Sequence, residues 1–190
     1  MMGVINRQAV LLSGGASRRM GQNKAEIVVD GEPNGKRIAR LLHESGWDVV
    51  VLGRDPIEGF AFQRDREQFG GPLAALRDFV PSAEVVFVAS CDLVRFQPSV
   101  ATALGDLLGD FDACLPMVNG RLQPLCATYR KDAFEVLRQN SGLVRVFDWL
   151  DHLNNREVSE EELRVYGISP EWVMGTNTPE ELNALNPGGK

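Results

Sequence analysis

The chain has little of what several common chemistries require. Its three cysteines, Cys91, Cys114 and Cys126, are odd in number and far apart, with no Cys-x-x-Cys pair. That argues against a disulfide framework and against a cysteine zinc site. It has two histidines, His43 and His152, both in helix-like surroundings, so serine-triad chemistry is set aside. No apolar run approaches the roughly 18 residues of a membrane span, and the N-terminus shows no signal-peptide pattern. An excess of positive charge is missing too: 26 acidic against 20 basic residues give a net charge of −6. That balance excludes a nucleic-acid groove or an anionic membrane surface as the main partner. Internal repeats and linkers rich in Gly, Ser or Pro are also lacking. With 190 residues, 44% of them hydrophobic, a soluble cytoplasmic protein with one substantial core is expected.

What is present alternates in the manner of an α/β protein with a mostly parallel, mixed sheet. Ala9 to Leu12, Val49 to Leu52, the short Ala61-Phe62 and Val85 to Ala89 read as buried strands. The apolar spacing in Lys36 to His43 predicts a helix stopped by Gly46, and Pro72 predicts a second helix start. Pro98 to Leu108 reads as a third helix. Asn119-Gly120, between Ala113–Val118 and Leu122–Tyr129, is a hairpin signal and predicts an antiparallel pair. Helices are expected around Asp132–Arg138 and Leu143–Leu153, a short strand near Leu163–Tyr166, and a last helix opening at Thr178-Pro179-Glu180.

The most informative stretch runs from Val10 to Ala25, VLLSGGASRRMGQNKA. An apolar strand empties into a loop with three glycines, two arginines and a lysine. Glycine lets backbone N–H groups converge on an anion at low conformational cost, and the basic side chains add charge for more than one phosphate. The spacing is not that of a Walker A loop, because Gly15 and Gly21 are too far apart and Asn23 precedes the lysine. Nor is it a dinucleotide fingerprint, because Gly14 and Gly15 are adjacent. Further on, Asp92 stands just past the clearest strand, where open α/β sheets place their ligand crevice. A carboxylate there can hold Mg²⁺ or simply cap the following loop. Asp65 stands before Gly71-Pro72-Leu73-Ala74; it reads either as an acceptor for base or ribose donors or as an exposed loop acid.

The loop resembles the signature L-x-G-G-x-S-x-R-M-G-x-D-K of the molybdenum cofactor guanylyltransferases, MobA-like members of the Rossmann-like nucleotidyltransferases. Leu12, Gly14, Gly15, Ser17, Arg19, Met20, Gly21 and Lys24 fall in register. Cys91-Asp92, Gly71-Pro72-Leu73-Ala74, Gly120 with Gln123-Pro124-Leu125, Arg145 and Asn177-Thr178-Pro179-Glu180 also match in order. The resemblance implies one three-layer nucleotidyltransferase domain over 1–190, with its core at about 8–185. It implies nucleotide contacts from Leu12, Ser13, Gly14, Gly15, Lys24, Asp65, Gly71, Pro72 and Asp92, and catalytic roles for Arg19, Lys24 and Asp92. Mg²⁺ would be held by Asp92 and Asn177. GTP and molybdopterin or molybdenum cofactor would be substrates of a monomer or weak oligomer, and molybdoenzyme maturation proteins its partners. Cytidylyl transfer is the alternative within the same chemistry. Three departures stand out: Asn23 for the family's Asp, Gly175 for its first Asn, and Leu93-Val94 where a proline is usual. The first two motivate a further alternative, a carrier that binds nucleotide without turning it over.

Overall fold

The computed structural model describes residues 6–13, 26–66 and 70–176. Its centre is a twisted mixed sheet. Strands β1 (Arg7–Leu12), β4 (Asp48–Gly53), β5 (Ala61–Arg64) and β6 (Val85–Ser90) run parallel to their neighbours in the spatial order β5-β4-β1-β6. Beyond β6 the direction reverses: β9 (Cys126–Arg130) lies antiparallel to both β6 and β7 (Ala113–Val118). β10 (Asn155–Val158) closes that edge parallel to β7. β8 (Arg121–Leu122) folds back on β7 through Asn119 and Gly120, whose φ of 52° and 70° suit a tight hairpin turn. A second small hairpin pairs β2 (Val28–Val29) with β3 (Glu32–Pro33) through Asp30 and Gly31, at φ 52° and 85°.

The hydrophobic runs become strands because both faces of the sheet are covered. Along β6, Phe87 and Ala89 enter one core, and Val86 and Val88 enter the other. A strand buried on both sides needs a continuous apolar run rather than alternation. One face carries α1 (Asn34–Glu44), α3 (Ser99–Leu107) and α6 (Glu160–Val165). The other carries α2 (Gly71–Asp78), α4 (Lys131–Gln139) and α5 (Val146–Leu150). The three-layer α/β arrangement expected from the sequence is therefore present.

On the second face, Tyr129 stacks on Trp149 at 4.7 Å between ring centres. Buried polar ends find partners: Trp149 Nε1 donates to the Ala133 carbonyl at 2.9 Å and Tyr129 Oη to the Pro124 carbonyl at 2.7 Å. Gly46, at φ 86°, ends α1 as anticipated, and its N–H reaches the His43 carbonyl.

Two expectations are corrected. The strand near Leu163–Tyr166 is instead helix α6. Ser159 caps it by accepting from the Glu162 N–H, and Glu160, Glu161 and Glu162 fill the first turn, where the helix dipole favours acids. The edge strand lies earlier, at β10. The helix expected over Leu143–Leu153 shortens to α5, because Asp148 accepts from both the backbone N–H and the guanidinium of Arg145, a cap that starts it only at Val146. The helix expected at Thr178 lies outside the described residues. Among the described residues, no helix is long and apolar enough to cross a membrane.

Candidate active site

The C-terminal ends of β1 and β6 are adjacent, with Leu12 opposite Ser90 in register. The Cys91 N–H donates to the Leu12 carbonyl, so the root of the Gly-rich loop and the segment bearing Asp92 are hydrogen-bonded together. Leu12 itself is a core residue, 5% exposed, and offers the site only its backbone. At Ser13, both the N–H (2.8 Å) and the hydroxyl (3.3 Å) point to the Leu52 carbonyl, tying the strand ends together. Gly14, Gly15, Arg19, Asn23 and Lys24 lie outside the described residues, as does Asn177.

Asp92 is half-buried on the wall of a cavity of about 1000 Å³. Ser90 Oγ donates to its Oδ1 at 2.5 Å, and the Thr176 N–H holds its backbone carbonyl at 2.9 Å. The opposite walls come from the second half of the chain: the Asn119-Gly120 turn, Arg121, the Gln123-Pro124-Leu125 bend and Phe147. Thus the Gln-Pro-Leu element and Asp92, read separately in the sequence, face one space. Tyr129 Oη braces the bend through Pro124, and Glu160 Oε1 accepts from the Asn119 N–H to brace the turn. Cys126 lines the same space; burial pushes its thiol pKa up, and the nearby Asp92 charge pushes it further.

Asp65 and the α2 start lie elsewhere. Asp65 follows β5, and its N–H donates to the Gly53 carbonyl. Its pKa is raised, chiefly by burial, against the pull of Arg54. Gly71 takes φ 78° at the start of α2, a conformation that favours glycine, and a side chain there would meet nothing within 4 Å. Asp65, Gly71 and Pro72 do not line the Asp92 cavity. Arg145 is engaged by Asp148, which raises its pKa through their hydrogen bond. His43 and His152 are both exposed.

Gly175 changes meaning. Read from the sequence, it is a lost side-chain oxygen. In the structure, a Cβ at this position would come within 2.9 Å of Cγ, Oδ1 and Oδ2 of Asp92. The position abuts the carboxylate, and glycine is what leaves that carboxylate room. Two further residues give no signal in the sequence: Asn34 and Arg37, buried at the start of α1 and bonded to the segment after β6. Their partners are 57 and 59 residues away, beyond the reach of any local pattern.

Whether Mg²⁺ suits these residues turns on donor count. Among the described residues no group of three or more His, Cys, Asp or Glu could hold a metal. Mg²⁺ commonly takes one or two carboxylates and fills its shell with water and substrate phosphate. A single half-buried carboxylate on a roomy cavity wall fits that habit. It does not fit a closed, all-protein cage.

The mostly parallel sheet with helices on both faces, with a carboxylate just past β6 on a cavity wall, is the fold of an α/β nucleotidyltransferase. Residues 9–158 match the MobA-like NTP transferase domain model, and the chain belongs to that family. A probable molybdenum cofactor guanylyltransferase of Pelotomaculum thermopropionicum is 28% identical, over 94% of this chain and 91% of that protein. One from Bacillus velezensis is 30% identical, over 95% of each. The crystal structure of molybdopterin-guanine dinucleotide biosynthesis protein A from Archaeoglobus fulgidus superposes with a TM-score of 0.77 at 23% identity. That match covers 95% of this chain and 97% of the other.

Proposed function

We propose that this protein transfers GMP from GTP to the terminal phosphate of molybdopterin or molybdenum cofactor, releasing pyrophosphate. The observation that carries the proposal is the placement of Asp92. It stands between the root of the phosphate-type loop and a cavity walled by the Gln-Pro-Leu bend, large enough for a tricyclic acceptor. The names of the relatives over nearly the whole chain support the same reading.

In this mechanism the acceptor lies in the large cavity with its phosphate toward Asp92, and an acceptor oxygen attacks the α-phosphorus in line. The bond to the β-phosphate breaks and pyrophosphate leaves. Mg²⁺, when bound, supplies charge neutralisation at the α-phosphate, with Asp92 as its protein ligand and Asn177 as the second candidate. Ser90 fixes the Asp92 rotamer through its hydroxyl. Arg19 and Lys24 would stabilise charge on the departing pyrophosphate, and the amides of Gly14 and Gly15 would cradle the triphosphate. Asp65 would accept from the paired N–H donors of guanine, with Gly71 and Pro72 bounding the base. No covalent intermediate is needed; positioning and electrostatics suffice.

The test is pyrophosphate release with GTP, molybdopterin and Mg²⁺. Asp92→Ala and Lys24→Ala are each expected to abolish most turnover, and near-normal rates in both variants would remove the mechanism. Competition among GTP, CTP and ATP tests the base: a preference for CTP assigns the cytidylyl alternative. Tight GTP binding without release of pyrophosphate assigns the carrier.

A further inference from the structure

The segment 91–96 carries Asp92 but is neither strand nor helix, so its backbone carbonyls must find partners outside the sheet. Three of them are taken by one turn of one helix. Asn34 Nδ2 donates to the Cys91 carbonyl at 2.9 Å. Arg37 Nη1 donates to the Val94 carbonyl at 3.4 Å and Nη2 to the Phe96 carbonyl at 3.2 Å. A contact from Arg37 Nη1 to Asn34 Oδ1 at 3.5 Å links the two side chains. Asn34 is fully buried and Arg37 is 6% exposed. Arg37 Nε pairs at 3.3 Å with Asp30, a largely exposed residue at the tip of the β2–β3 hairpin.

This is a costly way to begin a helix. Asparagine is a weak helix former, and here its side chain caps nothing within α1. A buried guanidinium gives up hydration that a methionine or leucine at the same place would not. Local rules broken together at one spot, with no gain to the helix itself, point to what those residues hold. They hold the residues on both sides of Asp92. They also lie downstream of the Gly-rich segment, just after the β2–β3 hairpin, so the clamp joins the helix that follows that hairpin to the segment carrying Asp92.

We propose that Asn34 and Arg37 are positioning residues that set the place of the Asp92 carboxylate relative to the nucleotide, an inference that rests on the nucleotidyl-transfer reading above. They touch no substrate themselves. Partners that orient a ligand from behind it are commonly worth about 10–100-fold in metal affinity or activity.

The experiment has two arms on the full chain. In the first, Mn²⁺ is titrated into GTP-saturated protein, wild type and the variants Asn34→Ala, Arg37→Met and Arg37→Lys. Arg37→Met is expected to weaken Mn²⁺ binding and lower kcat by about tenfold or more, with GTP KM within about twofold. Arg37→Lys, which keeps the charge and one donor direction, is expected to recover part of the loss. In the second arm, amide hydrogen exchange is followed by mass spectrometry. Loss of protection confined to peptides covering 91–97 is expected in Arg37→Met and Asn34→Ala, with β1, β4 and β6 unchanged. Folded variants that keep wild-type Mn²⁺ affinity and wild-type protection of 91–97 would overturn the proposal, as would loss spread evenly over the sheet. A wild type that binds no Mn²⁺ with GTP and releases no pyrophosphate defeats the nucleotidyl-transfer reading. The exchange arm then decides the clamp alone.

Discussion

Replacing Gly175 with alanine should do opposite things to stability depending on one other residue. The added Cβ would stand 2.9 Å from three atoms of the Asp92 carboxylate. Gly175 is not among the glycines with positive φ, so alanine meets no backbone penalty and the conflict is one of space. The cheapest relief is for the carboxylate to swing away, which breaks the bond from Ser90. A hydrogen bond to a charged group is worth about 1.5–3 kcal/mol. With Asp92 half-buried the lower half applies, about 1.5–2 kcal/mol. Against this, alanine restricts the unfolded chain and returns about 0.4–1 kcal/mol. Gly175→Ala is therefore expected to cost about 1 kcal/mol, a fall in Tm of about 2–4 °C for a chain of this size. In an Asp92→Ala background the obstacle is gone, and the same change should stabilise by about 0.4–1 kcal/mol.

The assay is a four-member cycle of denaturant unfolding curves: wild type, each single variant and the double variant. The sign reversal and a coupling of about 1.5–2 kcal/mol are expected. Equal effects of Gly175→Ala in both backgrounds would refute the reasoning, because the clash would then not be with Asp92. In the transfer assay, the displaced carboxylate should lower turnover by about 100-fold, the scale of a misplacement near 1 Å.

Other expectations follow from the same contacts. Tyr129→Phe keeps the stack on Trp149 but leaves the Pro124 carbonyl without its donor. It should cost about 1–3 kcal/mol in unfolding free energy and weaken acceptor binding more than GTP binding, measured as separate KM values. Alkaline pH should destabilise the fold. Burial raises the thiol of Cys114 from 9.0 to about 12 and pushes Cys126 and Tyr129 up as well. The unfolded chain therefore loses protons first as pH rises. Stability is full below the unfolded thiol pKa of 9.0 and declines as pH climbs toward 12. The slope is about 1.4 kcal/mol per pH unit for each group then ionised only in the unfolded state. Chemical denaturation between pH 8 and about 11 measures it; Cys126→Ala should flatten the slope, and an unchanged slope would count against this assignment.

Some of this protein was legible in the chain before any coordinates. Val85–Ala89 needed no tertiary information, because an unbroken apolar run ending in Ser-Cys-Asp has few other uses in an α/β protein. Asn119-Gly120 determined its own turn, since both residues tolerate the left-handed region that a two-residue hairpin demands. Asp92 was marked by its place after the strand. Where local signals conflicted, the reading failed: Leu163 to Tyr166 looks extended by composition, yet Ser159 and three successive glutamates make it a helix. Those capping terms are local and could have been read.

What only the tertiary structure decided involves pairs far apart in sequence. Gly175 and Asp92 meet across 83 positions, so an apparent loss at one is clearance for the other. Asn34 and Arg37 find the carbonyls of Cys91, Val94 and Phe96 only once α1 lies on the sheet face beside that segment. The sequence by itself determined most of the elements, because propensity and turn chemistry act within a few residues. Which side chains converge on Asp92, and which hold it from behind, depends on strand order and helix packing. Those are settled by burial of two cores at once and leave no trace in local spacing.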